Sequence, residues 1–217
     1  ALLGIPAINN ISGLGTAFLK KSLVSFVVTV LYKISQPFAY KIFCQNTEDL
    51  NYFKDNRFAQ SENLILIPGS GVDTKRFNPN LRISRPASHD EIFTFLYAGR
   101  MLRDKGLVEL ITAIRSINLN SIKCKLILCG FVDSDNISAI SIDDIESWSL
   151  LPGIQWVGAS DQIENIMSKV DCMVLPSYRE GMPKSLIEGG SMGLPAVTTD
   201  VPGCRNIIQD GVNGFLC

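Results

Sequence analysis

From about position 92 the chain repeats one pattern. A short, nearly unbroken apolar run rich in β-formers is followed by a stretch with apolar residues at helical spacing. The runs are 92–97 (IFTFLY), 125–129 (KLILC), 154–157 (IQWV), 172–175 (CMVL), 196–198 (AVT) and 214–217 (GFLC). Runs of this length suit strands buried on both faces, as in a parallel sheet. Between the first two, Leu107, Leu110, Ile111 and Ile114 recur at helical spacing. Between the third and fourth, Ser160 is placed to cap a helix carrying Ile163, Ile166 and Met167. The alternation predicts an α/β fold with a doubly wound parallel sheet.

The first part of the chain is α/β as well, with about three strands. Residues 5–11 read as a strand and 18–40 as one or two apolar helices broken at Pro37. Residues 41–45 and 64–67 read as strands flanking a helix that begins near Thr47. The polar, proline-containing segment 78–91 is the expected linker. It separates 1–77, the end of one Rossmann-like domain, from 92–217, most of a second. The chain opens inside an apolar stretch without Met and ends inside a strand-like run. It is therefore read as a fragment of a longer protein.

The segment 22–34 (SLVSFVVTVLYKI) is the most apolar. It falls short of the roughly 20 residues a bilayer span needs. Two readings stay open: a core helix, or a surface helix that touches membrane with help from Lys20, Lys21 and Lys33.

Composition narrows the class of function. With 46% hydrophobic residues, 217 residues can bury a core, and a formal charge of −1 lacks the basic footprint of a nucleic-acid binder. The six cysteines form no CxxC pair and read as small thiols in a reducing cytosol, and His89 reads as a solvated loop residue.

Two constellations carry chemistry, each directly after a predicted strand, where open parallel sheets bind ligands. The first runs from Gly99 through Arg100 to Lys105 and Gly106. Arg100 can fork onto phosphate oxygens and Lys105 adds a point charge. A solvated basic loop is the alternative. The second runs from Pro176 to Glu188. Pro183 suits the first position of a helix. Glu180 then lies in the loop before that helix and Glu188 on its second turn. The two bracket a helix start, whose free N–H groups favour phosphate. The alternative makes Glu180 an exposed loop residue and Glu188 a helix-surface charge.

Together the two segments resemble the retaining glycosyltransferases of GT-B fold, the glycosyl transferases group 1 family that includes sucrose synthase and many bacterial polysaccharide transferases. The resemblance rests on Gly99-Arg100-x4-Lys105-Gly106 and on Glu180-x7-Glu188 in its Ser-x-x-Glu-Gly-x-Pro setting. Gly69-Ser70-Gly71-Val72-Asp73, Gly193-Leu194-Pro195 and Gly211-Val212-Asn213-Gly214 match further landmarks. Ser12-Gly13-Leu14-Gly15 and Pro68-Gly69-Ser70-Gly71-Val72-Asp73 look like a bacterial surface-polysaccharide branch.

The resemblance implies roles. Glu188 would hold ribose hydroxyls and Glu180 would touch the transferred sugar. Arg100 and Lys105 would neutralise the departing diphosphate. Backbone at Gly181, Met182 and Lys184 would sit near sugar and phosphates, and Gly158, Ala159 and Ile163 near the base. Gly130 would end a strand facing the same cleft, and Gly13 and Gly15 would line its other side. The implied reaction moves a hexose-type sugar, with retention, from a UDP-linked nucleotide sugar to a saccharide or lipid-linked acceptor. It would serve polysaccharide biosynthesis in the cytoplasm, at or near the inner face of the membrane. No Asp-x-Asp motif ends a predicted strand and Asp143-Asp144 falls in a helical pattern, so the reading expects no metal and no cofactor beyond the donor. One position departs from the family. Where many members carry a His after the first Ile-Pro-led strand, this chain has Ser12. A nucleotide-sugar epimerase of similar fold and an inactive nucleotide-binding fragment are the competing readings.

Overall fold

The computed structural model of the chain describes residues 5–15, 18, 22–83, 92–119 and 123–217. His89, Lys20, Lys21 and most of the segment read as a linker lie outside them. The protein divides into two compact units. Unit 1 comprises Ala1–Gly71, Arg179–Lys184 and Val201–Ile207. Unit 2 comprises Val72–Tyr178, Ser185–Asp200 and Ile208–Cys217. The described part of 78–91 thus packs with unit 2.

Unit 1 holds strands β1 (Ile8–Ile11), β2 (Lys41–Cys44) and β3 (Leu64–Leu66), all parallel, in the order β1-β2-β3. Helix α1 (Leu23–Ser35) ends where Pro37 enters a 3-10 turn, Gln36–Phe38. Helix α2 (Thr47–Asp55) is capped by Asn46, whose side-chain oxygen accepts from the Asp49 N–H. The core gathers Ile11, Leu14, Ile42, Cys44, Leu50, Phe53, Phe58 and Leu64. Phe53 and Phe58 meet edge to face at 5.2 Å, and Tyr32 and Tyr52 close around them.

Helix α1 departs from the core-helix reading. None of its residues is buried, and Leu23, Val24, Phe26, Leu31 and Ile34 are each more than half exposed. The half-buried Ser25, Val28, Thr29 and Tyr32 share one side, and most of the apolar residues lie on the sides left exposed. No helix among the described residues is long and apolar enough to cross a membrane.

Unit 2 holds β4 (Phe93–Ala98), β5 (Cys124–Cys129), β6 (Ile154–Trp156), β7 (Cys172–Leu175), β8 (Ala196–Thr198) and β9 (Gly214–Leu216). All six pair in parallel, in the order β6-β5-β4-β7-β8-β9. The helices are α3 (Leu107–Leu119), α4 (Ile142–Ser149), α5 (Ile163–Met167) and α6 (Lys184–Ser191). The chain winds outward from β4 to β6, crosses back to β7 beside β4, and winds outward the other way. This is a doubly wound sheet whose order reverses between β4 and β7. The helical-spacing residues Leu107, Leu110, Ile111 and Ile114 are all buried. Strand β7 is buried throughout, while β4 and β5 alternate buried with less buried positions.

One cap is not as the sequence suggests. Helix α5 begins at Ile163 behind Gln162, with no side-chain cap. The Ser160 hydroxyl instead accepts from the Gln162 N–H at 3.1 Å, closing the turn ahead of the helix. Short polar turns offer Ser this local bond in competition with capping.

Two core thiols give a prediction. Burial, with Asp49 nearby, pushes Cys44 up to about 11, and burial, with Asp171, does the same to Cys172. A thiol whose folded pKa lies above its ordinary 9.0 stays protonated in the fold after the unfolded chain has ionised. Its contribution is therefore complete below pH 9.0 and is lost as pH rises towards 11. The urea midpoint should fall across that window, and Cys44→Ala with Cys172→Ala should flatten the fall.

Candidate functional site

In a doubly wound sheet the crevice opens outside the carboxyl ends of the strands, where their order reverses. Here those are the ends of β4 and β7. The loop 99–106 leaves β4 and the loop beginning at Pro176 leaves β7, so both segments singled out from sequence stand at the reversal point. The two loops also bond to one another. The Tyr178 N–H donates to the Asp104 carbonyl at 3.0 Å. Gly106 adopts φ +71° and closes the 3-10 turn Arg103–Lys105, and a Cβ there would lie 2.0 Å from the Pro176 carbonyl oxygen. Only glycine permits both the left-handed backbone and that approach.

Arg100 is exposed, and its guanidinium donates to Asp133 at 2.9 Å. Its main chain is held by the fully buried Tyr97, whose hydroxyl donates to the Arg100 carbonyl at 2.7 Å. Such an exposed ion pair is weak, and an incoming phosphate could compete for the guanidinium. Lys105 ends the 3-10 turn, half-buried. Gly130 follows β5, donating its N–H to the Gly158 carbonyl at 2.8 Å and accepting the Trp156 indole N–H at 3.0 Å. That ties the ends of β5 and β6 together. Ala159 is exposed, and Ile163 is the first residue of α5.

Glu188 lies on the second turn of α6 and is 9% exposed. That overturns the helix-surface alternative. It is the only buried Asp or Glu among the described residues of unit 2. A carboxylate is held out of water only with partners or for a ligand. Pro183 immediately precedes α6, whose first residue is the exposed Lys184.

Glu180, Gly181, Met182 and Lys184 belong to unit 1. The segment is fastened there by residues that the sequence reading did not single out. Arg179 pairs with the fully buried Asp49, and Asn46 donates to both Asp49, at 3.0 Å, and the Gly181 carbonyl, at 2.8 Å. Glu180 and Met182 are half-buried, and Gly181 is buried. A Cβ on Gly181 would stand 1.8 Å from the Ser12 carbonyl oxygen, and one on Gly13 would stand 3.0 Å from the Gly181 nitrogen. The Gly13 loop and the Glu180 loop therefore pack backbone against backbone. Gly15 follows, exposed, with open space around it. A pair 130 residues apart in sequence has no local signal.

Among the described residues no group of three or more His, Cys, Asp or Glu is arranged to hold a metal ion. Asp143 and Asp144 lie in the first turn of α4 behind the Ser141 cap. There they complement the helix dipole, and Asp144 also faces Arg103 at 3.7 Å.

Comparison with known proteins bears on this geometry. Residues 81–217 match the model of the family described as glycosyl transferases group 1. The chain is 28% identical over 94% of its length to an N,N'-diacetylbacillosaminyl-diphospho-undecaprenol alpha-1,3-N-acetylgalactosaminyltransferase of Campylobacter jejuni, covering 55% of that protein. It is 23% identical over 99% of its length to a UDP-Gal:alpha-D-GlcNAc-diphosphoundecaprenol alpha-1,3-galactosyltransferase of Escherichia coli, covering 57% of it. The chain thus spans about half the length of these curated relatives. Among solved structures, it resembles Anabaena HepE in complex with UDP and glucose, with a TM-score of 0.75 at 17% identity over 98% of this chain and 57% of that one. At that identity the likeness is one of fold.

The close approach at Gly106 makes a stability prediction. Gly106→Ala adds a steric collision to a left-handed backbone and should cost about 3 kcal/mol. Gly211→Ala has φ +72° but open space around it, so it should cost only about 1 kcal/mol. Urea denaturation of both variants measures the difference.

Proposed function

Because this chain belongs to the glycosyl transferases group 1 family and has the GT-B fold, we propose that it binds a nucleotide-diphosphate sugar and takes part in glycosyl transfer for polysaccharide assembly. The observation that carries this reading is the reversal point itself. A loop carrying Arg100 and Lys105 and a loop leading to a buried carboxylate leave adjacent central strands and are hydrogen-bonded to one another.

The chemistry follows from the charges. Breaking the bond from the anomeric carbon to phosphate builds negative charge on the leaving diphosphate. Arg100, once phosphate draws it from Asp133, together with Lys105 and the N-terminus of α6 supplies positive charge against the leaving diphosphate. Glu188, low in dielectric and preset, is assigned the ribose hydroxyls. Glu180 is assigned hydroxyls of the transferred sugar, with backbone at Gly181, Met182 and Lys184 beside it. Gly130, Gly158, Ala159 and Ile163 are assigned to the nucleoside, and Gly13 and Gly15 to close approach of sugar or acceptor. The proposed donor is UDP-linked and carries a hexose-type sugar. The proposed transfer is retaining, uses no metal or other cofactor, and takes a saccharide or lipid-linked acceptor. The names of the two relatives above include diphospho-undecaprenol, which supports the lipid-linked form.

Helix α1 fits such an acceptor. It offers exposed Leu23, Val27 and Leu31 one turn apart, with Lys33 in its last turn and no acid in its first. Peripheral contact with the cytoplasmic face of a membrane is the proposed use.

Two measurements test these proposals in the intact protein. Arg100→Ala and Glu188→Gln should each lower turnover of a UDP-sugar by about 10²–10³-fold, and near-normal rates in both would sink the assignment. Val27→Glu with Leu31→Glu should abolish co-sedimentation with anionic vesicles while leaving binding of UDP unchanged. Unaltered sedimentation would remove the membrane role.

A further inference from the structure

The segment that opens unit 2 holds an arginine that neither motif explains. Asp73 accepts the N–H groups of Lys75, at 2.9 Å, and Arg76, at 3.3 Å, and the Phe77 N–H donates to the Asp73 carbonyl at 2.8 Å. This tight turn fixes the start of the Arg76 side chain. The guanidinium then reaches α5. Its Nε and Nη2 donate to the same Glu164 oxygen, at 2.9 and 2.7 Å, and Nη2 donates also to the Asp161 carbonyl. It lies over the Phe77 ring at 5.2 Å.

What Arg76 grips is an exposed turn and a short helix anchored to the core at its far end by the buried Met167. Residues 159–162 are exposed, and α5 is five residues long with no side-chain cap. So short a helix is not stable by itself. Arg76 occupies a carbonyl of the preceding turn and the acid of the first helical turn at once. The other end of the segment is anchored to α6. Phe77 is buried, and its carbonyl accepts the Ser191 hydroxyl at 2.6 Å. Ser191 lies three residues after Glu188 and so on the same face of that helix. Residues 73–77 thus bridge the helix of the buried carboxylate to the loop assigned to the base. The charges agree. The Glu164 hydrogen bond raises the Arg76 pKa most, with further support from the charges of Glu164, Glu188 and Asp73.

We infer that Arg76 is a positioning residue for nucleoside recognition, clamping the loop between β6 and α5 to the helix that carries Glu188 through its double bond to Glu164 and its bond to the Asp161 carbonyl. The inference rests on the reading of unit 2 as a nucleotide-sugar site. Arg100 and Lys105 follow a different strand, β4, whereas the acceptors of Arg76 lie at 161 and 164, after β6, so the clamp is assigned to the nucleoside end.

The test compares two probes on the intact protein by calorimetry, uridine diphosphate and inorganic pyrophosphate, with UDP-sugar kinetics alongside. Arg76→Ala should weaken uridine diphosphate about tenfold and raise KM by as much, since a small misplacement of a binding element is costly. Pyrophosphate affinity and kcat should stay near wild type. Glu164→Gln should give the same pattern more weakly. Arg76→Lys, which can meet Glu164 but not both acceptors, should restore part of the loss. Thermal unfolding of each variant shows that the fold is retained. Unchanged uridine diphosphate affinity in Arg76→Ala overturns the clamp. So does an equal loss of both probes, which would mark a general structural role, whether or not the variant melts early. A wild-type protein that binds pyrophosphate and uridine diphosphate alike overturns the nucleoside reading of this loop. A wild-type protein that binds neither probe overturns the site assignment, and the clamp with it.

Discussion

The parallel pairing of β4 with β7 is the constraint on which unit 2 depends. Phe95 and Leu96 of β4 stand beside Cys172 and Met173 of β7, although almost 80 residues separate them in the chain. Right-handed crossovers put successive helices on one face, then on the other once the winding reverses. The reversal leaves two loops at the carboxyl ends of neighbouring strands with no crossover helix between them. A crevice there is a consequence of topology, before any side chain is chosen. The sequence then furnishes it. Gly106 lets one loop press against the carbonyl of Pro176 in the other, Arg100 and Lys105 are set after β4, and α6 follows β7 with a carboxylate on its buried side.

Most of unit 2 was legible because parallel strands in a doubly wound sheet carry their signal locally. Each apolar run became a strand, with ends displaced by a residue or so, and Leu107, Leu110, Ile111 and Ile114 became the buried face of α3. The two motifs were legible for the same reason, since each is contiguous and follows a strand. Local chemistry misled only at small scale. Ser160 has the residue type of a cap but spends its hydroxyl on the turn before the helix.

What stayed hidden depends on partners far away in sequence. Asp49 reads as an ordinary first-turn acid of α2, yet it is fully buried against Arg179. Through Asn46 the same cluster reaches the Gly181 carbonyl. Nothing near residue 49 foretells this, and burying such a charge is tolerable only because the partner and hydrogen bonds are in place. The result is that Glu180 and Glu188, eight residues apart and read as one motif, are held by different units. Helix α1 reads two ways from sequence for a different reason. Its apolar composition speaks for burial, and composition alone does not say which surface a helix meets. Arg76 belongs to the first group, since its acceptors at Asp161 and Glu164 lie more than 80 residues on.

The central claim is that the reversal point of the unit 2 sheet receives a nucleoside diphosphate. Hydrogen exchange of the intact protein, with and without saturating uridine diphosphate, measures this most directly. The account predicts added protection concentrated in 99–106, 130–131, 157–164 and 176–190, at the carboxyl ends of β4, β5, β6 and β7. Protection confined to other segments, or no change in these four with the ligand bound, would contradict it.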